Sequence, residues 1–219
     1  YSTFIRIGQQ TLVSSSPEMF FGLNGQGLVT TKPIKGTRAR YDDPVLDSQA
    51  ASELQQNQKE RAENLMIVDL MRNDIGKVAK PDSVRVPKLF EIESYATVHQ
   101  LVSTVEADLA EGESAVSALL AAFPGGSMTG APKSKAMEII ANLEAGSRGV
   151  YSGAIGYFGF NGSADFGMTI RTVVFQGGKA SIGVGGGITS DSDPLAELEE
   201  TKLKAKALLR ALNAPDPWA

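Results

Sequence analysis

Two hydrophobic periodicities alternate along the chain and divide it into strand-like and helix-like segments. Apolar and polar residues alternate from Phe4 to Val13 around Gly8, a pattern that predicts a β-hairpin. A further short strand is predicted over residues 28–31. Other segments repeat their apolar residues every three or four positions, as amphipathic helices do. This mixture predicts an α+β fold with antiparallel sheets.

Helical periodicity and end signals predict four helices. The first covers residues 48–70, with Gly76 as its stop, and two shorter helices cover residues 114–123 and 134–143. The last helix follows the capping residue Asp193. We expect its apolar face to pack on a core. That face carries Leu195, Leu198, Ala205, Leu208, Leu209 and Leu212.

The pattern over residues 150–184 predicts an antiparallel meander. Strands are predicted over residues 150–160, 166–175 and 179–184, joined by glycine-containing turns. Arg171 would then lie in mid-strand among apolar residues. A buried guanidinium without a partner is costly, so we expect Arg171 to face an anion or an acid.

Composition narrows the function classes. The 219 residues carry a net charge of −4 with no basic stripe, which argues against a nucleic-acid partner. The chain has no cysteine, so disulfides and thiolate metal sites are excluded. No apolar run is long enough to span a bilayer, and we expect a cytoplasmic protein without a membrane partner. We predict one domain over residues 1–212 and a disordered tail over residues 213–219.

Two pairs of glutamates are spaced three residues apart on predicted helices. Glu60 and Glu63 form the first pair, and Glu197 and Glu200 form the second. The ordinary interpretation of the second helix is a solvated ion pair between Glu200 and Lys204. If the two pairs meet across a cleft, however, four like charges require a hard cation between them. The sequence therefore suggests Mg²⁺.

Three further features have both a structural and a functional interpretation. Lys35 stands between Pro-Ile and a Gly-Thr turn, where a lysine is usually a solvated surface group. His99 is the only histidine, and a lone histidine among apolar neighbours is more often a core residue than a catalyst. The glycine-rich loop over residues 124–133 precedes a helix and leaves backbone N–H groups for an anion. It lacks the ending of a Walker loop, so we assign it no nucleotide.

Several motifs together carry a family resemblance. They are PIKGT at residues 33–37, AENLMIVDLMRND at 62–74, FPGGSMTGAPK at 123–133, IRT at 170–172 and GGGI at 185–188. In this order they resemble the chorismate-utilising enzymes. The chain is most similar to the para-aminobenzoate branch, which forms aminodeoxychorismate, and more distantly to the anthranilate branch.

The resemblance implies a fold and an activity. The fold would be a sandwich of antiparallel sheets flanked by helices, incomplete at the N-terminus because family members are about twice as long. The chain also opens in mid-strand without an initiator methionine, which predicts a piece of a longer protein. The activity would be Mg²⁺-dependent amination of chorismate at C4, with ammonia from a glutamine amidotransferase partner. Its product would serve para-aminobenzoate and folate synthesis.

The resemblance also implies roles for individual residues. Glu63 and Glu200 would bind Mg²⁺ directly, with Glu60 and Glu197 acting through water. Glu18 would protonate the departing C4 hydroxyl, and His99 would line the site. Carboxylates of the substrate would contact Tyr151, Arg171, Lys204 and the backbone of Gly185, Gly186 and Gly187, with Ser127 and Thr129 nearby.

Lys35 distinguishes the branches within this resemblance. The anthranilate branch has alanine in the PIxGT motif, whereas the para-aminobenzoate branch has lysine. Lys35 would attack C2 as an unprotonated amine, a state that a dry site or a neighbouring cation favours. Two alternatives remain open at this point: an anthranilate synthase component, and a fragment that binds Mg²⁺ and substrate without turnover.

Overall fold

The computed structural model describes residues 1–218 and contains eleven strands and five α-helices within them. The strands are β1 (Ser2–Ile7), β2 (Gln10–Ser15), β3 (Met19–Leu23), β4 (Leu28–Thr31), β5 (Ile34–Ala39), β6 (Arg85–Ser94), β7 (Val98–Asp108), β8 (Ala154–Phe158), β9 (Ala164–Met168), β10 (Thr172–Gln176) and β11 (Lys179–Ile182). The helices are α1 (Pro44–Gln56), α2 (Gln58–Gly76), α3 (Ala115–Ala122), α4 (Lys133–Leu143) and α5 (Pro194–Ala211). The predicted α+β class is confirmed.

The chain divides into two compact units. The hairpin unit comprises residues 1–17, 145–155 and 167–219, and the large-sheet unit comprises residues 18–144 and 156–166. The single domain predicted over residues 1–212 stays a prediction, because compactness alone does not test independent folding. The sandwich arrangement of the sheets likewise stays a prediction.

The hairpin unit contains a four-stranded sheet in the order β1-β2-β10-β11. Its first two strands form the predicted hairpin, because Ile7 pairs with Gln10 across a two-residue turn. Gly8 in that turn has φ of +56°, a conformation that glycine adopts without a steric penalty. The unit also contains α5, where the Asp193 side chain accepts a hydrogen bond from the Ala196 amide at 2.8 Å. The predicted start of the last helix is confirmed.

The large-sheet unit is built around β7, which pairs with β4, β5 and β6. The sheet runs in the order β5-β7-β4-β3-β9-β8, and strands β8 and β9 begin in one unit and end in the other. Helices α1 and α2 pack on β5 and β7. Leu54 of α1, Phe90 of β6 and Leu101 of β7 form a buried cluster there. Helix α2 thus contacts β5, the strand that carries Lys35.

The single long helix predicted over residues 48–70 is wrong. The chain leaves the helical conformation at Asn57, which has φ −64° and ψ 115°. Its side chain accepts a hydrogen bond from the Glu60 amide at 3.0 Å and caps the start of α2. The cap places Glu60 and Glu63 in the first two turns of α2. Carboxylates are favoured there because the helix dipole is positive at its N-terminus.

The predicted meander is also wrong, because residues 166–175 do not form one strand. Strand β9 ends at Met168 in the large sheet, and β10 begins at Thr172 in the four-stranded sheet. Arg171 lies between them with φ of +51°, so it is not a mid-strand residue. The backbone must turn here because β10 pairs with β2 in the other sheet. The segment predicted to form three strands therefore forms four, β8 to β11.

The predicted apolar face of α5 is exposed at its N-terminal end and partly buried further along the helix. Leu195 is 73% exposed and Leu198 is 42% exposed, whereas Ala205 is fully buried. The other buried residue of this helix is Glu197, which the apolar periodicity does not predict. Leu208, Leu209 and Leu212 are partly buried. The expectation that this face packs on a core therefore holds from Ala205 onward and fails for Leu195 and Leu198.

The remaining chain end follows α5 with local hydrogen bonds. The Ala214 amide donates to the Leu209 carbonyl at 3.0 Å, and the Trp218 amide donates to Asp216 at 2.9 Å. Ala219 lies outside the described residues, and the disorder expected for residues 213–219 stays a prediction. Within residues 1–218, no helix combines the length and hydropathy needed to cross a bilayer.

Candidate active site

Lys35 lies in a bulge of β5 rather than in the turn expected from its sequence. Ile34 pairs with Val102 and Thr37 pairs with Gln100, so Lys35 and Gly36 together face the single residue Leu101. Such an extra residue interrupts the ladder and redirects a side chain. The bulge therefore releases Lys35 from regular strand geometry at the centre of the PIKGT motif.

The Lys35 side chain forms an ion pair with Glu63. The Lys35 Nζ atom lies 3.7 Å from Glu63 Oε2, and the two side chains are only 20% and 14% exposed. Lys59 approaches the other Glu63 oxygen at 3.9 Å from a side chain that is 55% exposed. Arg38 NH1 lies 3.7 Å from Glu60 Oε1. We call Lys35, Arg38, Glu60 and Glu63 the lysine–glutamate cluster.

Gly36 allows this cluster to form. It has φ of +84°, and a Cβ atom there would lie 2.7 Å from Leu54 Cδ1 and 2.9 Å from Glu60 Cδ. Both distances are shorter than real Cβ contacts, so a side chain would displace β5 from α1 and α2. The glycine of PIKGT therefore has a steric function as well as a conformational one.

A buried polar network supports the cluster, and sequence reasoning missed it. The Asn64 amide donates to the Pro33 carbonyl at 3.2 Å, and its oxygen accepts from Ser103 Oγ at 2.5 Å. Asn64 and Ser103 are fully buried. Asn64 directly precedes the apolar run 65–68, and Ser103 directly follows the apolar residues 101–102. A polar residue beside such a run is the sequence signal that could have found them.

Glu18 and His99 also lie in the large-sheet unit. Glu18 directly precedes β3 and is 7% exposed. His99 is 3% exposed, and both of its ring nitrogens have partners: Nδ1 is 2.8 Å from Ser94 Oγ, and Nε2 is 2.9 Å from Asp47 Oδ1. This environment is that of a satisfied buried histidine. The catalytic roles expected for Glu18 and His99 stay predictions.

Asp47 anchors the histidine to an arginine. Arg40 Nε donates to Asp47 Oδ1 at 2.8 Å, and the Tyr41 amide donates to the same oxygen at 3.0 Å. The Arg40 hydrogen bond and then the Tyr41 hydrogen bond hold the pKa of Asp47 well below its usual range, although partial desolvation opposes them. A carboxylate held ionised in this way keeps its acceptor position on His99.

A second ion pair involves Lys32, the residue that directly precedes the PIKGT motif. Lys32 donates to Glu93 at 2.6 Å, and the Tyr95 hydroxyl donates to the other Glu93 oxygen at 2.7 Å. The hydrogen bond to Glu93 and burial raise the pKa of Tyr95 to about 12. Burial alone would raise the pKa of Glu93, but the hydrogen bonds from Lys32 and Tyr95 outweigh it and lower the pKa. Lys32, three residues before Lys35, is thus held by an ion pair to Glu93 of β6.

The glycine-rich loop packs directly on α2. A Cβ atom on Gly126 would lie 2.7 Å from Leu70 Cδ2, so only glycine fits at this distance. Ser127 lies in a single 3₁₀ turn, and the Thr129 hydroxyl donates to the Gly125 carbonyl at 3.1 Å. The substrate contacts expected of Ser127 and Thr129 stay predictions.

Lys133 anchors the C-terminal end of this loop. Its Nζ atom contacts the Asp74 carboxylate and donates to the Ala122 carbonyl at 2.9 Å. The Asp74 side chain is only 2% exposed and also pairs with Lys77 at 3.0 Å. Burial of the carboxylate makes the Lys133 contact important, because a buried charge without a partner is costly.

In the hairpin unit, Arg171 lies close to Tyr151 and α5. The Arg171 NH1 group donates to the Lys204 carbonyl at 3.1 Å. Burial lowers the pKa of Arg171, and the charge interaction with Tyr151 opposes that change. The Arg148 guanidinium lies 5.8 Å from the centre of the Tyr151 ring. Arg171 thus hydrogen-bonds a backbone carbonyl of α5, and the anion or acid expected for it stays a prediction.

The glycine loop, residues 183–187, fits tightly around two of the predicted side chains. A Cβ atom on Gly183 would collide with the Tyr151 ring, and one on Gly185 would lie 3.0 Å from the Tyr151 hydroxyl. A Cβ atom on Gly186 would lie 2.8 Å from Glu197 Oε2. Lys204 Nζ donates to the Gly185 carbonyl at 3.1 Å. The backbone of Gly185 and Gly186 thus lies beside Tyr151, Glu197 and Lys204. The substrate contacts expected of these residues stay predictions.

The glutamates of α5 differ in their environments. Glu197 is 8% exposed and accepts from Ser192 Oγ at 2.8 Å. Glu200 is half-exposed and pairs with Lys204 at 2.5 Å, which is the ordinary i, i+4 pair considered from the sequence. Within residues 1–218, no three carboxylate, histidine or cysteine side chains form a group that could hold a metal ion.

Comparison with known proteins places the chain in a family. A family model described as chorismate binding enzyme matches residues 1–210. The chain belongs to this family. The family resemblance inferred from the motifs is therefore confirmed.

The relatives of this chorismate binding enzyme include both branches. It is 50% identical to aminodeoxychorismate synthase component 1 of Salmonella typhimurium over 213 residues, covering 97% of this chain and 47% of the relative. It is 52% identical to aminodeoxychorismate synthase of Streptomyces griseus over 99% of this chain and 30% of the relative. Anthranilate synthase component 1 of Streptomyces coelicolor is 46% identical over 97% of this chain and 41% of the relative. The chain thus spans less than half the length of these relatives.

Solved structures agree on the fold. Anthranilate synthase component I of Streptococcus pneumoniae superposes with a TM-score of 0.86 and 38% sequence identity, over 95% of this chain and 46% of that protein. An isochorismate synthase from Bacillus anthracis gives a TM-score of 0.82 at 26% identity, over 98% of this chain and 57% of that protein. The chorismate binding enzyme described here therefore shares its fold with enzymes that carry out different reactions, and the reaction must be argued from its residues.

Proposed function

We propose that this chorismate binding enzyme chain is the catalytic part of an aminodeoxychorismate synthase. It would aminate chorismate at C4 with ammonia from a glutamine amidotransferase partner, yielding 4-amino-4-deoxychorismate for para-aminobenzoate and folate synthesis. The observation that carries the proposal is Lys35, which occupies the bulge of PIKGT and contacts Glu63 at 3.7 Å. Identity of about half the residues with aminodeoxychorismate synthases supports the same branch.

In the proposed reaction, the neutral Lys35 amine forms a bond to C2 of chorismate. The ring double bonds shift and the C4–oxygen bond breaks, while Glu18 supplies the proton with which the hydroxyl leaves as water. Ammonia then bonds to C4, and the returning ring electrons expel the lysine. The ion pair with Glu63 must open and Lys35 must lose a proton before attack. His99 is proposed to line this site.

Substrate binding is proposed for the residues that the family resemblance named. Arg171 and Tyr151 would bind the enolpyruvyl carboxylate, because a guanidinium suits a carboxylate in charge and geometry. Lys204 and the N–H groups of Gly185, Gly186 and Gly187 would hold the ring carboxylate. Ser127 and Thr129 would lie near the substrate. The tight fit of the glycine loop around Tyr151 and Glu197 supports close approach of its backbone to a ligand.

Mg²⁺ is part of the proposal because the donor atoms suit it. Glu60 and Glu63 lie one turn apart on α2, and Glu197 and Glu200 lie one turn apart on α5, so both pairs offer carboxylate oxygens. Glu63 and Glu200 would bind the ion directly, and Glu60 and Glu197 would act through water. When bound, the ion would supply positive charge for the ring carboxylate.

The second candidate is an anthranilate synthase component, since the relative from Streptomyces coelicolor is 46% identical. Lys35 separates the two candidates by experiment. The purified chain is incubated with chorismate, Mg²⁺ and ammonium, and the products are identified by mass spectrometry. We expect aminodeoxychorismate from the unmodified chain, and we expect Lys35→Ala to lower its formation more than about a hundredfold.

Lys59→Ala is the matched control, because Lys59 also contacts Glu63 but from an exposed side chain. It removes one cation beside Glu63 without removing the proposed nucleophile, so most of the turnover should remain. Anthranilate as the product would assign the chain to the other branch. Equal turnover in the Lys35→Ala variant would refute the nucleophile. Substrate binding without any product would identify a binding fragment.

A further inference from the structure

The bulge at Lys35 requires an explanation, because a bulge weakens the strand pairing that positions its residues. Between Ile34 and Thr37, β5 has one more residue than β7, and Leu101 faces both Lys35 and Gly36. Regular ladder hydrogen bonds are disrupted at such a position. Lys35 therefore needs support from outside the sheet if its ammonium is to stay beside Glu63.

Asn64 contacts backbone carbonyls of both chain segments that meet at the bulge. Its amide nitrogen donates to the carbonyl of Pro33, which precedes the bulge, at 3.2 Å. It also approaches the carbonyl of Leu101, which faces the bulge, at 3.5 Å. The Pro33 carbonyl accepts a second hydrogen bond from the Ser103 amide at 3.1 Å. A side chain of α2 thus joins β5 to β7 where the strand ladder is interrupted.

The orientation of Asn64 is itself determined by buried groups. Ser103 Oγ donates to Asn64 Oδ1 at 2.5 Å and accepts from the Phe90 amide at 3.0 Å. Phe90 has φ of +57° and lies at a second irregular position, in β6. The chain Phe90, Ser103, Asn64, Pro33 therefore connects β6, β7, α2 and β5. A buried hydrogen-bond network in which every group has a partner favours a single arrangement of the elements that it connects.

Asn64 directly follows Glu63 in α2. The same turn of helix therefore presents the buried amide that holds Pro33 and the carboxylate that contacts Lys35, two residues further along β5. We infer that Asn64 is a positioning residue that sets the separation of Lys35 and Glu63 through the Pro33 carbonyl. This inference rests on the proposed function for its effect on turnover, but not for its effect on Lys35 itself.

The test uses Asn64→Leu, which keeps a similar volume and removes the amide. Val68→Ala is the control, because Val68 is equally buried one turn further along α2 and its side chain has no group that could donate a hydrogen bond to Pro33. Urea unfolding of both variants measures how much stability each loses. We expect Asn64→Leu to lower kcat about a hundredfold with little change in KM, since Lys35 is displaced while substrate contacts remain.

A second measurement does not depend on turnover. Each variant is treated briefly with acetic anhydride, and the labelling of Lys35 and Lys59 is compared by peptide mass spectrometry. We expect the Lys35 to Lys59 ratio to rise in Asn64→Leu, because Lys35 leaves the half-buried contact with Glu63. The ratio should stay unchanged in Val68→Ala. If the unmodified chain makes no aminodeoxychorismate, the proposed function fails, but this ratio still decides the positioning role.

If Asn64→Leu does not fold, Ser103→Ala gives the same test in a milder form, because it removes the hydroxyl that orients the Asn64 amide. A rise in the labelling ratio then supports the inference. An unchanged ratio in the folded variant, or loss of turnover that follows stability equally in Val68→Ala, would overturn it.

Discussion

The lysine–glutamate cluster and the glycine loop hold their functional groups by opposite means. In the large-sheet unit, Lys35 lies in a bulge of β5 and Glu63 lies on α2, and a buried side-chain network through Asn64 supports both. In the hairpin unit, the glycine loop has no regular structure, and its position depends on close backbone approach to Tyr151 and Glu197. Hydrogen bonds between side chains thus hold the lysine–glutamate cluster in place. The glycine loop takes its position because its residues have no side chains that would prevent close backbone contact.

The difference has a physical consequence for mutation. Buried polar networks lose stability when one partner is removed, because the remaining group stays desolvated. In a glycine loop, stability falls when a substitution adds atoms that collide with a neighbour. The loss is small where that neighbour is a flexible side chain, such as a carboxylate, that can move aside. We therefore expect changes in the large-sheet unit to reduce stability more than changes in the glycine loop. The following predictions test that contrast, beginning with the largest effect.

Lys133→Met should be the most destabilising substitution. It removes the Lys133 ammonium from the buried Asp74 carboxylate and leaves the contact with the more exposed Lys77, so we expect a loss of about 3 kcal/mol in the free energy of unfolding. Urea denaturation measures this value. Lys135→Met is the control, because Lys135 pairs with Glu138 on the surface of the same helix and should change stability by less than about 0.5 kcal/mol. Equal effects of the two variants would contradict the importance of burial.

Gly36→Ala and Gly186→Ala compare the two regions directly. Gly36→Ala adds an atom 2.7 Å from Leu54 Cδ1 at φ of +84°, so it should cost about 2 kcal/mol. Gly186→Ala adds an atom 2.8 Å from Glu197 Oε2, which can rotate away, so we expect a loss below about 1 kcal/mol. Thermal and urea unfolding of both variants give the comparison. A larger loss for Gly186→Ala would reverse our view of the glycine loop.

The smallest effect concerns Asp47 and depends on pH. Its folded-state pKa is lowered by Arg40 and Tyr41, so its stabilising contribution is present above the unfolded pKa of about 3.9 and is lost as pH falls through the folded value. The stability difference between the unmodified chain and Asp47→Asn should therefore be constant from about pH 5 to pH 8 and shrink below about pH 4. Thermal unfolding across this range measures it.

Asp42→Asn is the control for that series, because Asp42 is exposed in the preceding loop. It should show little change in unfolding temperature at any pH. A difference between Asp47→Asn and the unmodified chain that grows as the pH falls toward 2 would contradict the lowered pKa of Asp47.

Much of the local structure was predictable because its signals are local. The hairpin at Gly8, the cap at Asp193 and the helix after Ser114 follow from residues adjacent in sequence, and the structure confirms all three. The break at Asn57 was missed because an asparagine within a helical pattern is compatible with either a helix interior or a cap. The surrounding apolar periodicity outweighed that signal.

The candidate site was only partly predictable for a related reason. Motif residues such as Lys35, Glu63 and Glu197 could be named, and the structure gives them the contacts described above. The partners that hold them could not be named, because Pro33 and Ser103 lie 31 and 39 positions away from Asn64 along the chain. Hydrogen bonds between residues so far apart produce no periodic pattern in the sequence from which they could be predicted.

The sequence by itself determined the α+β class, the principal turns and caps, the family motifs and the residue types available for chemistry. These depend on dihedral preferences and periodicities within a few residues. Only the tertiary structure decided that Lys35 lies in a bulge, that Arg171 stands where the chain passes from one sheet to the other, and that Asn64 supports the bulge. Each of these results from strand pairing between distant segments, where register and burial are fixed by the whole core and not by neighbours in sequence.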